Sequence, residues 1–273
     1  MVLAMVLFCC LLLAIFRIMR LMLSNPTIRE FVELPVFDFK IAGHGFASCI
    51  MRELGYDSLT DDYKVVTINE FLNWNGADRI MCVHVYSLRR NTWTRVIDYP
   101  DKYRPFSITS SAFVNGSFHC VATKVSDNTK VIVAFSLVDE NFSEVPSPTL
   151  GNGNDVDNLN RASRIVVVDE KLAIFLSFKG EVWLMNEYGV KGSWTKIKLY
   201  GLEQVPKFCI PFVFYVIGKL SLVYDKQMLI YDVEDGRLSK RIDIYGNTHP
   251  SAYTRFSCVC VENLVSPRFN RLN

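Results

Sequence analysis

The sequence predicts an all-β protein, and within that class a kelch-like β-propeller. Two observations carry this reading. Beyond residue 25 the apolar runs are four to seven residues long, rich in Val, Ile and Phe, and bounded by turn residues. That is the pattern of strands, not helices. A strand–turn–strand unit also recurs along the chain at a spacing near 50 residues. One hairpin per period of that length marks a kelch-type propeller. A β-sandwich with hairpins of similar size is the alternative architecture.

Composition bounds the rest. At roughly 150 residues per domain, 273 residues allow one or two domains, but a single all-β domain can use the whole length. Lys and Arg number 30 against 28 Asp and Glu. A net charge of +2 is too balanced for a nucleic-acid footprint, so no nucleic-acid partner is expected. Half of the residues are hydrophobic and about a fifth are charged, which describes a packed chain and excludes a disordered one. The eight cysteines, at 9, 10, 49, 82, 120, 209, 258 and 260, include no C-x-x-C pair, so neither a zinc site nor a thioredoxin-like motif has support. They read as small buried hydrophobes in a reducing compartment. Cys258 and Cys260 lie on one face if they sit on a strand.

From the N-terminus, Met1 to Phe16 is uninterrupted apolar sequence, followed by Arg17 and Arg20. As a helix, 16 residues span roughly 24 Å, short of the ~30 Å hydrocarbon core; extension to Leu23 gives about 35 Å if both arginines snorkel. A membrane anchor through residues 1–23, with the rest of the chain in the cytosol by the positive flank, is one reading. Strand-forming core sequence, or a false start of the gene, is the other. A cleaved signal peptide fits less well, because the charged n-region is missing.

The strand candidates follow in order: Val65–Ile68, Met81–Tyr86, Val131–Phe135, Arg164–Val168, Leu172–Phe178, Val213–Ile217 and Leu220–Tyr224. Hairpins follow several of them. VHVYSLRRNTWTRV turns after Tyr86 and restarts at Trp93. VIVAFSLVDENFSEVP repeats this from Phe135 to Phe142, and MLIYDVEDGRLSKRI from Tyr231 to Leu238. EVWLMNEYGVKGSWTKI is a longer-turn version ending at Trp194, and NPTIREFVELP supplies the second half of another, centred on Phe31. Taking Phe31, Trp93, Phe142, Trp194 and Leu238 as equivalent, the steps are 62, 49, 52 and 44. Residues 25–273 then hold about five blades. A sixth would be built from strands at both chain ends, and the ring is incomplete if its first strands are missing. Asn115-Gly116, Lys179-Gly180 and Asp235-Gly236 supply turn chemistry between runs. The Gly151–Asn160 stretch reads as a polar loop between blades; its G-x-G lacks the strand-to-helix setting of a dinucleotide site.

The same residues resemble a known family. Asn25-Pro26-Thr27-Ile28-Arg29-Glu30-Phe31 with Leu34-Pro35 resembles the NPxTREFxxLP motif of plant F-box associated domains (the type 1, kelch-like class). Gly55-Tyr56-Asp57 through Thr60-Asp61-Asp62-Tyr63-Lys64-Val65-Val66 resembles their GYDxxTDDYKVV signature. Val85 to Leu88 with Trp93 resembles VYSLxxxxW. Phe113 to His119 resembles FVNGxxHW, with Cys120 where Trp is usual. Ile132–Pro146, Glu181–Trp194 and Val261–Pro267 resemble three further motifs, in the family's order. The domain division is therefore 1–24 as an apolar N-terminal segment, 25–267 as the F-box associated propeller, and 268–273 as a tail.

What the resemblance implies is a protein–protein interaction domain. Family members act as the substrate-recruiting arm of SCF-type ubiquitin ligases, with an N-terminal F-box gripping a Skp-type adaptor and cullin, and the propeller capturing an unidentified target protein. No F-box pattern stands in these 273 residues. The adaptor and cullin are thus expected only if an F-box exists upstream. The alternative is a stand-alone or membrane-tethered binding propeller outside ubiquitination. A cytoplasmic or nuclear location is expected, or a membrane-anchored one with the propeller in the cytosol.

Catalytic chemistry has no carrier. His44, His84, His119 and His249 form no H-x-x-x-H or H-E-x-x-H arrangement, and no G-x-S-x-G is present. His84 and His119 sit in strand patterns and read as structural. Asp61 and Asp62 are adjacent, which is poor geometry for an acid–base pair, so they read as turn residues. No enzyme activity, cofactor or metal is expected, and no catalytic or partner-binding residue is assigned. Arg89, Arg90, Lys124 and Lys130 read as solvated hairpin charges or as part of a partner-binding rim. Asn115-Gly-Ser and Asn141-Phe-Ser match the glycosylation sequon, which matters only for a secreted chain.

Overall fold

The protein is described by a computed structural model. It describes residues 6–8, 21–25, 28–36, 41–73, 78–105, 111–148, 163–177, 179–202, 212–216, 218–224 and 227–243. Twenty strands form five antiparallel sheets among these residues, with a single short 3-10 turn at Lys191–Ser193 and no α-helix.

The first sheet has three strands, β1 (Val6–Phe8), β2 (Met22–Asn25) and β3 (Glu30–Glu33). The second runs β4 (His44–Asp57), β5 (Asp62–Asn73), β6 (Arg79–Ser87) and β7 (Thr92–Asp98). The third orders β12 (Phe142–Val145), β11 (Lys130–Ser136), β10 (Ser117–Lys124) and β8 (Tyr103–Pro105), with β9 (Ser111–Val114) also paired to β10. The fourth is β13 (Ser163–Val168), β14 (Lys171–Leu176), β15 (Glu181–Met185) and β16 (Trp194–Lys198). The fifth is β17 (Phe212–Val216), β18 (Lys219–Tyr224), β19 (Gln227–Asp232) and β20 (Leu238–Asp243). In the second, fourth and fifth sheets, strands adjacent in sequence are adjacent in space, so each is an up-and-down meander, the form of a propeller blade.

The chain divides into two compact units. One holds Met1–Asp101, Phe135–Asn141 and Cys258–Asn273; the other holds Lys102–Ala134 and Phe142–Ser257. In the first unit Leu21, Leu23 and Leu34 pack on Tyr63, Val65, Tyr86 and Leu88, joining the first sheet to the second. In the second unit the fourth sheet is buried on both faces. Ile165, Leu172, Ile174 and Leu176 pack towards the third sheet, while Val166, Val168, Ala173 and Phe175 pack towards the fifth. Alternate residues point to opposite faces. A strand covered on both sides therefore reads as the continuous apolar runs IVVV and LAIFL. Each large side chain so covered contributes roughly 1.5–3 kcal/mol relative to exposure.

All five residues that set the period fall in the last strand of their sheet: Phe31 in β3, Trp93 in β7, Phe142 in β12, Trp194 in β16 and Leu238 in β20. The apolar N-terminal run contains strand: Val6–Phe8 pairs with Met22–Ser24 in the register Val6↔Ser24, Leu7↔Leu23, Phe8↔Met22. No helix among the described residues is long and apolar enough to cross a membrane. Residues 9–20, the 151–160 loop and the Cys258/Cys260 pair lie outside the described residues.

Candidate functional site

The hairpins share one turn. Four residues connect the closing pairs Asn25/Glu30, Asp57/Asp62, Ser87/Thr92, Lys124/Thr129, Ser136/Asn141 and Asp232/Arg237. In each, the last loop residue has positive φ: Arg29, Asp61, Asn91, Asn128, Glu140 and Gly236, between 49° and 66°. That residue reverses the chain and lets the next strand restart in register. Gly and Asn accept this conformation readily, whereas Arg and Glu adopt it at a cost of about 1–2 kcal/mol. A side-chain oxygen at the first position often holds the turn. Ser136 Oγ donates to Asp139 and accepts its amide, and Asp232 Oδ1 accepts the Glu234 amide.

The most elaborate version is at 57–64. Asp57 Oδ1 accepts the Leu59 and Thr60 amides at 2.9 and 3.4 Å, while its Oδ2 accepts the Thr60 hydroxyl at 2.7 Å and pairs with Lys64 at 2.7 Å. Burial works to raise the Asp57 pKa, but Lys64, Thr60 and the Leu59 amide outweigh it and hold the carboxyl below its ordinary value. Asp62 ties this hairpin to the next, accepting the Ser87 hydroxyl at 2.5 Å and the Arg89 amide at 2.8 Å. Asp61 stays at the surface, accepting from Tyr56 and pairing with Arg89. The two adjacent carboxylates thus serve the turns, as expected. What the rigid loop presents is Leu59, 74 % exposed.

A second recurring device joins neighbouring sheets. Trp93 Nε1 donates to the Pro35 carbonyl at 2.8 Å, and Trp194 Nε1 donates to the Pro146 carbonyl at 2.9 Å. Each acceptor lies four residues beyond the anchor of the preceding sheet, Phe31 or Phe142. At the fifth sheet the anchor is Leu238, which has no donor. There Gly236 sits against the equivalent carbonyl, that of Lys198, so closely that a Cβ would lie 1.8 Å from it. The Gly236 carbonyl in turn accepts the Tyr200 amide at 2.9 Å.

His119 is fully buried. Its Nδ1 lies 3.2 Å from the Ala112 carbonyl and its Nε2 2.7 Å from the Tyr188 hydroxyl. The carbonyl can only accept, so Nδ1 carries the proton and Tyr188 donates to Nε2. Burial lowers the His119 pKa to about 4. His84 is lowered to about 4 by burial, with Arg95 adding to the effect. It lies 3.0 Å from Asn69 Nδ2, which also donates to Thr67 Oγ1. Both histidines are structural. The lysines of the third sheet's hairpin are half-buried: Lys124 pairs with Glu144, and Lys130 donates to Thr123. Asn115 takes the positive-φ turn position before Gly116, and Asn141 closes the β11–β12 turn. Cys82 is a buried thiol whose pKa burial pushes up to about 11. Among the described residues no group of three or more His, Cys, Asp or Glu is placed to hold a metal.

Five antiparallel sheets, most of them meanders, a shared turn and repeated bonds between adjacent sheets define a β-propeller domain whose distinctive residues are architectural. The F-box associated beta propeller domain family matches residues 4–267, and the chain belongs to that family. Its similarity to the F-box protein CPR1 of Arabidopsis thaliana is 29% identity over 196 residues, 63% of this chain and 46% of that protein. With the F-box/kelch-repeat protein At3g23880 of the same plant it is 26% over 258 residues, 90% of this chain and 64% of the other. The chain spans about half the length of the curated relatives it matches. The matched region starts well before residue 25 and takes in β1 and β2.

Proposed function

We propose that this domain is the target-capturing part of an SCF-type ubiquitin ligase F-box protein, and that it works without catalysis. Membership of the F-box associated family, with F-box proteins as relatives, is the observation that carries this reading. The local structure supports it. Turns locked by buried carboxylates present side chains such as Leu59 on a scaffold that loses little entropy on binding. In this reading a Skp-type adaptor and cullin engage through an F-box upstream of the propeller, and the target protein is held by hairpin tips. No cofactor takes part. The proposed location is cytoplasmic or nuclear.

The test is affinity capture from plant cells of the chain alone and of the chain with an F-box fused upstream. The reading expects both to recover the same target and only the fusion to recover the adaptor. Recovery of no common target would sink it. Membrane fractionation checks the location, and retention of the chain in the membrane fraction would favour a tether through residues 1–23.

A further inference from the structure

We propose that the open edge of β20, extended by the end of β16, docks an acidic, extended segment of a partner protein by strand addition. Charge singles out these two strands. The last strand of the first sheet, β3 (EFVE), carries two glutamates, and that of the third, β12 (FSEV), carries one. β7 (TWTRVID) holds one arginine and one aspartate, which pair with each other. β16 (WTKIK) carries two lysines and no acid, and β20 (LSKRID) carries Lys240 and Arg241 against Asp243 alone. Among the five last strands, a positive surplus is confined to β16 and β20.

The two strands meet. The Lys198 carbonyl, at the end of β16, lies against Gly236, two residues before β20, and the Tyr200 amide donates to the Gly236 carbonyl. Lys196, Lys198, Arg237, Lys240 and Arg241 are all exposed along this run. Tyr200, 58 % exposed, and Leu238, 37 %, add apolar surface at the junction. Glu181 engages Lys196 at 3.5 Å, and Asp235 lies 3.9 Å from Arg237. Asp243 accepts from Gln227. Lys198, Lys240 and Arg241 pair with no carboxylate among the described residues.

The backbone selects the class of partner. β16 and β20 each end their sheet, so one edge of each has no partner strand among the described residues. Such an edge offers both amide donors and carbonyl acceptors. A polypeptide strand satisfies both, whereas a nucleic-acid backbone, rich in acceptors only, does not. The cations repel a second copy of the same edge and attract carboxylates. An acidic strand with an apolar side chain over Leu238 and Tyr200 fits every feature. That the segment belongs to the target rests on the capture reading above; the charge and the open edge do not.

Binding of a dye-labelled peptide of about nine residues, alternating glutamate and valine, to the purified full chain tests this. Saturable binding is expected, weakened by high salt and by about tenfold or more in the double variant Lys240→Glu, Arg241→Glu. Two further peptides, N-methylated at the odd or at the even residues, each lose one set of backbone donors. At least one should bind about tenfold more weakly than the parent. The parent peptide should also slow hydrogen exchange in fragments covering 237–243 and leave those covering 92–98 unchanged. No binding of the parent peptide overturns the proposal, as does binding that the double substitution or both N-methylations leave unchanged. Tighter binding of single-stranded DNA of similar length would assign the band to nucleic acid and overturn it as well. The N-methylated peptides are read on the unsubstituted chain, so they decide even where the double variant fails to fold. Failure here leaves the capture reading standing, because recovery of a common target from cells decides that.

Discussion

Gly236 shows how one residue can be fixed by two independent demands. Its φ of +66° and its contact with the Lys198 carbonyl both exclude a side chain. Gly116 shares the positive φ, +71°, but a Cβ there would meet nothing within 4 Å. Gly116→Ala is therefore expected to cost about 1–2 kcal/mol and Gly236→Ala roughly 3 kcal/mol or more, compared by urea unfolding. Equal effects would show that the Lys198 contact relaxes freely. The two buried histidines make a pH prediction. Their folded pKa values, about 4, lie below the ordinary 6.5, so above pH 6.5 both are neutral in either state and their stabilisation is complete. As pH falls from 6.5 to 4 the unfolded chain takes up protons that the folded chain refuses. Stability drops by about 1.4 kcal/mol per pH unit per histidine. His119→Gln should flatten this acid limb of the melting temperature against pH.

At the scale of elements, the turn and the indole bond explain residues that resemblance only named. Asp57 and Lys64 form the cage of a hairpin, and Trp93 and Trp194 reach a proline carbonyl on the preceding sheet. Asp57→Ala removes every acceptor of that cage and leaves Lys64, mostly buried, without its carboxylate. A loss of about 2–4 kcal/mol is expected, with Asp57→Asn intermediate because it keeps the turn but not the ion pair. Trp194→Phe, which removes a half-buried hydrogen bond, should cost about 1–2 kcal/mol beyond any change in packing. Chemical denaturation of the variants checks both orders. Three of the five anchors were legible because the turn keeps a fixed seven-residue step from Tyr86 to Trp93, Phe135 to Phe142 and Tyr231 to Leu238. β4 was not. Its 14 residues mix polar and apolar side chains and carry two bulges, at Phe46/Ser48 and Cys49/Met51, which break the two-residue alternation that marks a strand.

For the whole molecule, the N-terminal segment matters most. Leu21 and Leu23 are core residues of the first unit, and β1 and nearly all of β2 lie before residue 25. A chain starting at residue 25 would lose two strands of a three-stranded sheet and bare the apolar surface of Tyr63, Val65 and Tyr86. It is expected to aggregate on expression, or to melt well below the full chain. A soluble monomer with an unchanged cooperative melt would contradict this.

The sequence by itself determined the class of fold, the turn positions and the family. Each depends on local pattern: short apolar runs, loop residues that tolerate positive φ, and motifs in a constant order. Tertiary structure decided what those motifs do. Pro35 meets Trp93 across 58 residues, Pro146 meets Trp194 across 48, and His119 meets Tyr188 across 69. It also decided that Val6–Phe8 forms a strand, where the apolar run from Met1 to Phe16 suited a helix or a strand equally well. Hydropathy measures the preference for burial, and that preference is the same in a bilayer and in a core. Only a partner strand, here β2, distinguishes them by supplying the backbone hydrogen bonds.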